Sequence, residues 1–140
     1  FQAAILIEKL KIFPDEFVKR QSIAWRYSIL LAEVCEVPTI MPDHTSAWAQ
    51  YTLILKDREN MQSRLNAAGI PSVVYYPIPL SRQLGYQKFP CVSTGVNTSE
   101  QLSKNVLSLP MYPYLSEISQ DRVVSEILSN EKSKSIKIDI

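Results

Sequence analysis

The sequence predicts an α+β domain in which N-terminal helices precede a small sheet that is flanked by further helices. Three observations lead to this fold class. Apolar residues recur at helical spacing through the first 34 residues, two β-rich runs follow (QYTLILKD and SVVYY), and an amphipathic stretch covers residues 119–129. We therefore divide the chain into a helical arm (residues 1–34), an α+β domain (residues 35–129) and a polar tail (residues 130–140).

The arm is predicted to form two consecutive helices. In FQAAILIEKL, Ala3, Ile7 and Leu10 recur at helical spacing. Pro14 is expected to end this helix and to open the next, because a proline at the first helical position lacks only an N–H group that has no helical partner there. Four apolar residues of the second helix are then expected to face a core: Phe17, Ile23, Tyr27 and Leu30.

The middle of the chain carries strong local signals. QYTLILKD is predicted as a strand, and Asp57 as the N-cap of a helix that runs from Arg58 to Ala68. Gly69 is the usual left-handed residue after a helix. Pro71 then favours extended backbone in the residue before it, which predicts a second strand over SVVYY. Because side chains alternate along a strand, one of the two adjacent tyrosines in SVVYY is expected in the core.

The C-terminal third is predicted to contain two more helices. Ser99 is expected to cap a helix that ends near Val106, and residues 119–129 form the last helix. Between these helices, LSLPMYPYL is predicted as an irregular segment that is constrained by two prolines. Three of its side chains are expected to pack inside: Leu107, Leu109 and Met111.

Composition excludes several classes of function. The 140 residues carry a formal charge of +1, which gives no basic field for RNA or DNA. No window approaches the roughly 18 consecutive apolar residues of a membrane span. One histidine and two separated cysteines give no zinc spacing. The cytosol is the expected location, and we expect a fragment of a larger protein, because an apolar helix begins at Phe1 with no initiator methionine.

The residues alone do not predict a complete enzyme. His44 is set in a loop beside Pro42, so no base is marked out to activate a serine or cysteine nucleophile. The segment YYPIPLSRQ is more suggestive, because its prolines fix a loop that presents Tyr75 and Tyr76, and Arg82 supplies donors for phosphate or carbonyl oxygens. A rigid surface loop and a ligand wall both fit this pattern.

Four segments in order resemble the C-terminal part of the DegT/DnrJ/StrS sugar aminotransferases: FQAAILIEKLKIF, AWAQYTLIL, AAGIPSVVYYPIPL and NVLSLPMYPYL. The resemblance implies the small C-terminal domain of a fold-type-I, pyridoxal-phosphate-dependent transferase, with residues 1–34 as the arm to a large domain. It implies amino transfer, usually from glutamate, to a keto group of a nucleotide-linked sugar. The segment VYYPIPL is most similar to the corresponding segment in the branch of the family that acts on UDP-linked sugars for surface glycans.

The same resemblance implies that the Schiff-base lysine and the aspartate on the cofactor nitrogen precede Phe1. It gives this chain no catalytic residue, and we expect the chain alone to be inactive and to bind no pyridoxal phosphate. Tyr75, Tyr76 and Arg82 are implied as substrate-binding residues, although many relatives have histidine where Tyr75, Ser81 and Tyr112 stand. The parent is expected to be a homodimer. The alternative is a non-catalytic binding module that kept the small-domain fold.

Overall fold

The computed structural model describes residues 1–92 and 94–135, with side chains to residue 129. A long helix comes first, and a two-stranded antiparallel sheet is flanked by three further helices, so the predicted fold class is confirmed. The elements are α1 (Gln2–Leu31), β1 (Tyr51–Ile54), α2 (Arg58–Ala67), a 3₁₀ turn (Leu80–Arg82), α3 (Asn97–Asn105), β2 (Val106–Leu109) and α4 (Glu117–Ser135).

The arm is one continuous helix, and the predicted break at Pro14 is wrong. A proline inside a helix removes one backbone hydrogen bond and crowds the preceding turn. Here that loss is confined to one position in a helix of 30 residues, whose second half is held by packing. Ile23, Ala24, Tyr27 and Leu31 are buried there, while the first half projects into solvent.

Two contacts with α4 fix the second half of α1. The buried side chain of Gln120 donates a hydrogen bond from Nε2 to the carbonyl oxygen of Ile23 at 2.8 Å. Arg26 Nη2 lies 2.6 Å from Asp121 Oδ1, one residue along α4. The amide of Gln120 therefore satisfies a backbone group within the core, where an unpaired polar atom would be costly.

The sheet pairs β1 with β2 in a register that places Tyr51 opposite Leu109 and Ile54 opposite Val106. The predicted strand in QYTLILKD is confirmed. The prediction of irregular structure is wrong for residues 107–109, which form most of β2. A Leu-Ser-Leu run ahead of a proline is only a weak local signal for a strand. These residues are extended because they pair with β1, which lies more than 50 residues earlier in the chain. Leu107 and Leu109 are buried, and Met111 packs against the core, as predicted.

Helix α2 begins and ends where its sequence predicts. Asp57 caps the first turn, with its Oδ1 accepting a hydrogen bond from the N–H of Asn60 at 3.3 Å. At the other end Gly69 has φ +68°. The N–H of Gly69 donates to the carbonyl oxygen of Asn66, and the N–H of Ile70 donates to the carbonyl oxygen of Leu65. This pair of hydrogen bonds is the Schellman motif, which requires the left-handed residue that glycine supplies.

The last two helices differ from expectation at their ends. Helix α3 begins at Asn97, so Ser99 lies inside its first turn and the predicted cap is wrong. Helix α4 confirms the predicted last helix but continues to Ser135, six residues into the segment predicted as a tail. Residues 136–140 lie outside the described residues. The division into arm, domain and tail otherwise stays a prediction.

Replacing Leu53 with alanine should lower the free energy of unfolding by about 2–5 kcal/mol, because its fully buried side chain would leave a cavity between the sheet and the helices. Leu84→Ala is the matched control, since Leu84 is 90% exposed, and should change stability by less than about 0.5 kcal/mol. Urea denaturation measures both values. Equal effects at the two positions would contradict this description of the core.

The core also makes stability depend on alkaline pH. Burial raises the pKa of Tyr51 from 10.0 to about 12 and raises the pKa of Tyr27 further. The folded state therefore favours the neutral phenols, so their contribution is complete below about pH 10 and is lost as pH rises through about 12. Unfolding free energies measured by circular dichroism between pH 9 and roughly pH 12 should fall steadily.

The variant Tyr51→Phe should make this fall less steep, whatever its stability at neutral pH, because one of the two buried phenols is gone. Tyr86→Phe is the control at an exposed tyrosine and should keep the slope of the natural chain. If Tyr51→Phe and the natural chain lose stability with pH at the same rate, the burial of the Tyr51 hydroxyl is not the cause.

Candidate functional site

The tyrosine loop, residues 71–83, is joined to the sheet at one point. Val73 and Ser108 exchange two backbone hydrogen bonds, with N···O distances of 3.1 and 2.7 Å. On the opposite side of β2, Ser108 Oγ lies 2.8 Å from Thr52 Oγ1 of β1. Val73 is thus a single bridge beside β2, and the predicted strand over SVVYY is wrong beyond this residue. The prolines that follow have no N–H with which to continue pairing.

Both tyrosines of the loop are accessible to solvent. Tyr75 is 41% exposed and Tyr76 is 69% exposed, so the prediction that one of them enters the core is wrong. Strand alternation does not apply, because the chain has left the sheet before residue 75. The two rings contact each other edge to face, with centroids 5.6 Å apart. Together they present two aromatic surfaces and two hydroxyl groups.

The tyrosines line one wall of a cavity of about 710 Å³, here called the tyrosine cavity. The loop wall comprises Tyr75, Tyr76, residues 78–81 and Gln83. The opposite wall comes from the N-terminal end and one face of α3, where Ser99, Leu102 and Ser103 follow helical spacing, together with Val96 and Val106. None of the described side chains that line the cavity carries a charge. This volume suits a small organic molecule, and the walls offer apolar surface with a few hydroxyl and amide groups.

Arg82 does not line the tyrosine cavity. Its Nε lies 2.7 Å from Oε1 of Glu100 on α3, so the ion pair fastens the 3₁₀ turn to that helix. The hydrogen bond from Arg82 lowers the pKa of Glu100, and the same bond raises the pKa of Arg82. Of the three predicted site residues, Tyr75 and Tyr76 line the tyrosine cavity and Arg82 does not. Their roles in substrate binding stay predictions.

Ser81 also lies at the tyrosine cavity, and the sequence did not predict it as a site residue. The residue lines the cavity, whereas its Oγ is buried and has no hydrogen-bond partner among the described residues. The family resemblance marked this position only as one where many relatives have histidine. The α3 wall could have been found, because Ser99, Leu102 and Ser103 share one face of a predicted helix.

The described side chains give no site that suits pyridoxal phosphate. A lysine that forms an imine needs its pKa lowered, usually by burial or by a neighbouring cation. None of the described lysines is buried and none lines the tyrosine cavity; they are Lys9, Lys11, Lys19, Lys56, Lys88 and Lys104. The described residues therefore include no lysine placed to favour covalent attachment of the cofactor.

Residues 1–92 and 94–135 also offer few groups for acid–base catalysis or metal binding. His44 is exposed in a loop, where its Nδ1 lies 2.8 Å from the carbonyl oxygen of Pro42. Among these residues no group of three or more histidine, cysteine or carboxylate side chains could hold a metal ion. None of the helices in this part of the chain is long and apolar enough to cross a membrane.

The sequence of this chain matches a known protein family. The sequence model of the DegT/DnrJ/EryC1/StrS aminotransferase family matches residues 1–128. The chain is 38% identical over 133 residues to the UDP-2-acetamido-2-deoxy-3-oxo-D-glucuronate aminotransferase of Pseudomonas aeruginosa, covering 92% of this chain and 35% of that protein. The chain thus spans about a third of the length of this relative.

Solved structures agree with this comparison. A DegT DnrJ EryC1 StrS aminotransferase from Brucella abortus superposes with a TM-score of 0.90 at 43% identity, over 92% of this chain and 35% of that one. NtdA from Bacillus subtilis with bound cofactor PMP superposes with a TM-score of 0.69 at 29% identity, over 84% of this chain and 28% of that one.

The Arg82–Glu100 contact should hold the loop against α3 only while the carboxyl is ionised. Because its folded-state pKa lies below the ordinary 4.5, the contact is complete above pH 4.5 and is lost as pH falls through the lowered value. Glu100→Gln at neutral pH should therefore lower the protection of the amides in residues 80–87 against hydrogen exchange, measured at the same pH as the natural chain.

The matched control is Glu8→Gln, which removes an exposed ion pair with Lys11 on α1 and should leave the exchange of residues 80–87 unchanged. Unaltered exchange of those amides in Glu100→Gln would show that the ion pair does not position the loop.

Proposed function

Because this chain belongs to the DegT/DnrJ/EryC1/StrS aminotransferase family, we propose that it is the substrate-facing part of a sugar aminotransferase. The reaction is the transfer of an amino group from glutamate to a keto group of a nucleotide-linked sugar, in which the nucleotide is UDP and the product serves surface-glycan biosynthesis. The observation that carries the proposal is the tyrosine cavity, which lies in a chain whose relatives include an enzyme named for such a sugar.

In this proposal Tyr75 and Tyr76 form a wall of the substrate site. Their rings are exposed, they contact each other, and their hydroxyls make no hydrogen bond to the described part of the chain. Pro77 and Pro79 restrict the backbone that follows them, so little conformational entropy is lost when a substrate is bound. Arg82 donates its Nε–H to Glu100, and its two Nη groups can still donate to a phosphate outside the cavity.

The cofactor chemistry belongs to the rest of the full-length protein. Pyridoxal phosphate, when bound there, supplies the site through which the amino group is exchanged. The placement of the described lysines supports this division, as does the length of the relatives, of which this chain covers about 35%. By itself the 140-residue chain is therefore proposed to be inactive and to carry no cofactor.

A cytosolic homodimer completes the proposal. The first half of α1 supports the dimer, because Ile5, Leu6, Ile7 and Leu10 are 60–65% exposed and need a covering surface. That surface can come from the large domain or from a partner subunit. The likeness to the family supports the cytosolic location.

The test is the full-length protein, assayed with glutamate and a UDP-linked 3-oxo sugar for release of 2-oxoglutarate. We expect turnover that depends on added pyridoxal phosphate and none from the 140-residue chain. If the full-length protein binds the sugar nucleotide but transfers no amino group from any donor, a non-catalytic binding module replaces the enzyme. Turnover by the isolated chain would overturn the proposed division.

The variant Tyr76→Ala in the full-length enzyme should raise the KM for the sugar nucleotide roughly two- to tenfold, the value of an aromatic contact. The KM for glutamate should change less, because the ring is proposed to face the sugar nucleotide. Tyr86→Ala, at an exposed tyrosine that does not line the cavity, is the control and should behave as the natural enzyme. Equal KM values in all three proteins would exclude Tyr76 from the site.

A further inference from the structure

We infer that helix α1 has two alternative starts, Gln2 and Pro14, and that residues 2–13 interconvert between helix and open, non-helical chain while residues 15–31 stay helical. Residues 2–13 are called the projecting segment here. The long helix is the form that the structure describes. The inference is independent of amino transfer, because it concerns only how α1 is held to the rest of the fold.

Residues 15–31 are attached to the rest of the fold along their length. Near their start, Glu16 Oε1 accepts a hydrogen bond from the hydroxyl of Tyr114 at 3.0 Å. One turn further, Arg20 Nη1 donates to the carbonyl oxygen of Trp48 at 2.8 Å. Four side chains of this half lie buried in the core. Opening this half of α1 therefore requires the core itself to unfold.

The projecting segment lacks such attachments. All of its side chains are exposed, and among the described residues they make a single hydrogen bond, from Lys11 to Glu8 within the segment. Both partners are more than 60% exposed, so this ion pair adds little stability. Phe1, the N-cap residue, makes no side-chain capping bond. Most helical stability in proteins comes from packing, and a helix of about a dozen unpacked residues is marginal in water.

Pro14 separates the two halves. In the long helix it cannot donate to the carbonyl oxygen of Leu10, and its ring crowds that group. The same residue suits the first position of a helix, where an N–H has no helical partner. Asp15 and Glu16 then stand in the first turn, where the helix dipole favours carboxylates. The penalty that Pro14 imposes on the long helix is therefore absent from the short one.

A surface that covers the projecting segment selects the long helix. Leu6 and Leu10 are at least 60% exposed, and they bury apolar area only when such a surface is present. A contact made by one of two conformations shifts the population toward that conformation. The covering surface in the full-length protein therefore keeps the segment helical, whereas the monomeric 140-residue chain populates the short helix.

The test is amide hydrogen exchange of the 140-residue chain, read peptide by peptide by mass spectrometry at a concentration where sedimentation shows a monomer. We expect the projecting segment to exchange within about tenfold of the rate of an unstructured peptide, and residues 20–31 to be protected at least about a hundredfold more. Equal protection on both sides of Pro14 in the monomer would overturn the inference.

The variant Pro14→Ala should raise the protection of residues 2–13 roughly three- to tenfold, because the long helix regains a hydrogen bond and loses the proline penalty. Protection of residues 20–31 should not change. Pro42→Ala, at an exposed proline of the connector before β1, is the control and should leave both segments as they are in the natural chain. Unchanged exchange of residues 2–13 in Pro14→Ala would show that Pro14 does not set a second start.

Self-association must be separated from helix formation, because contact between two copies would itself cover the projecting segment. If the natural chain associates at every usable concentration, the double variant Leu6→Lys, Leu10→Lys supplies the monomer, since leucine and lysine have similar helix propensities. In the full-length protein the segment should be protected at least about tenfold more than in the monomeric chain. Equally fast exchange in both proteins would overturn the inference, whether or not the full-length protein transfers amino groups.

Discussion

The backbone of Ser108 holds the tyrosine loop in place. Ser108 lies in β2, between β1 on one side and Val73 on the other. Its N–H and carbonyl groups both bond to Val73, while its hydroxyl meets Thr52 of β1. An isolated two-stranded sheet is marginally stable, so this arrangement depends on the helices that cover the sheet. The position of Tyr75 and Tyr76 therefore follows from the packing of the whole core.

That core is built from segments distant in sequence. Tyr27 of α1 stacks near Tyr51 of β1, with ring centroids 5.0 Å apart, and its hydroxyl donates to the carbonyl of Pro110 at 3.2 Å. Arg64 of α2 bonds to Glu126 of α4 at 2.7 Å. The tyrosine loop at the edge is therefore positioned by contacts within the chain.

Local signals in the sequence were sufficient where the structure is local. Asp57 and Gly69 mark the ends of α2 because capping and left-handed turns involve residues only a few positions away. The strand at residues 106–109 could not be predicted, since its partner lies more than 50 residues earlier. Pro14 misled because a proline inside a helix removes a single backbone hydrogen bond, and α1 continues from Gln2 to Leu31 across it.

The candidate site shows the same difference between what local sequence determines and what long-range packing determines. Tyr75 and Tyr76 could be singled out from the proline-rich loop, but their shared cavity depends on α3, about 20 residues later. The pairing of Arg82 with Glu100 and the unsatisfied hydroxyl of Ser81 are likewise products of that packing. Residue type identifies groups that are able to bind, whereas the fold decides which of them face one another.

We propose that this chain supplies part of the substrate site and that the rest of the protein holds the cofactor. This proposal depends on where pyridoxal phosphate attaches. The most direct test incubates the 140-residue chain with pyridoxal phosphate, reduces it with borohydride and maps modified lysines by mass spectrometry. We expect scattered, substoichiometric modification, because the described lysines are accessible and none lies in the tyrosine cavity. A stoichiometric adduct on one lysine would show that the chain carries its own cofactor site and would contradict the division proposed here.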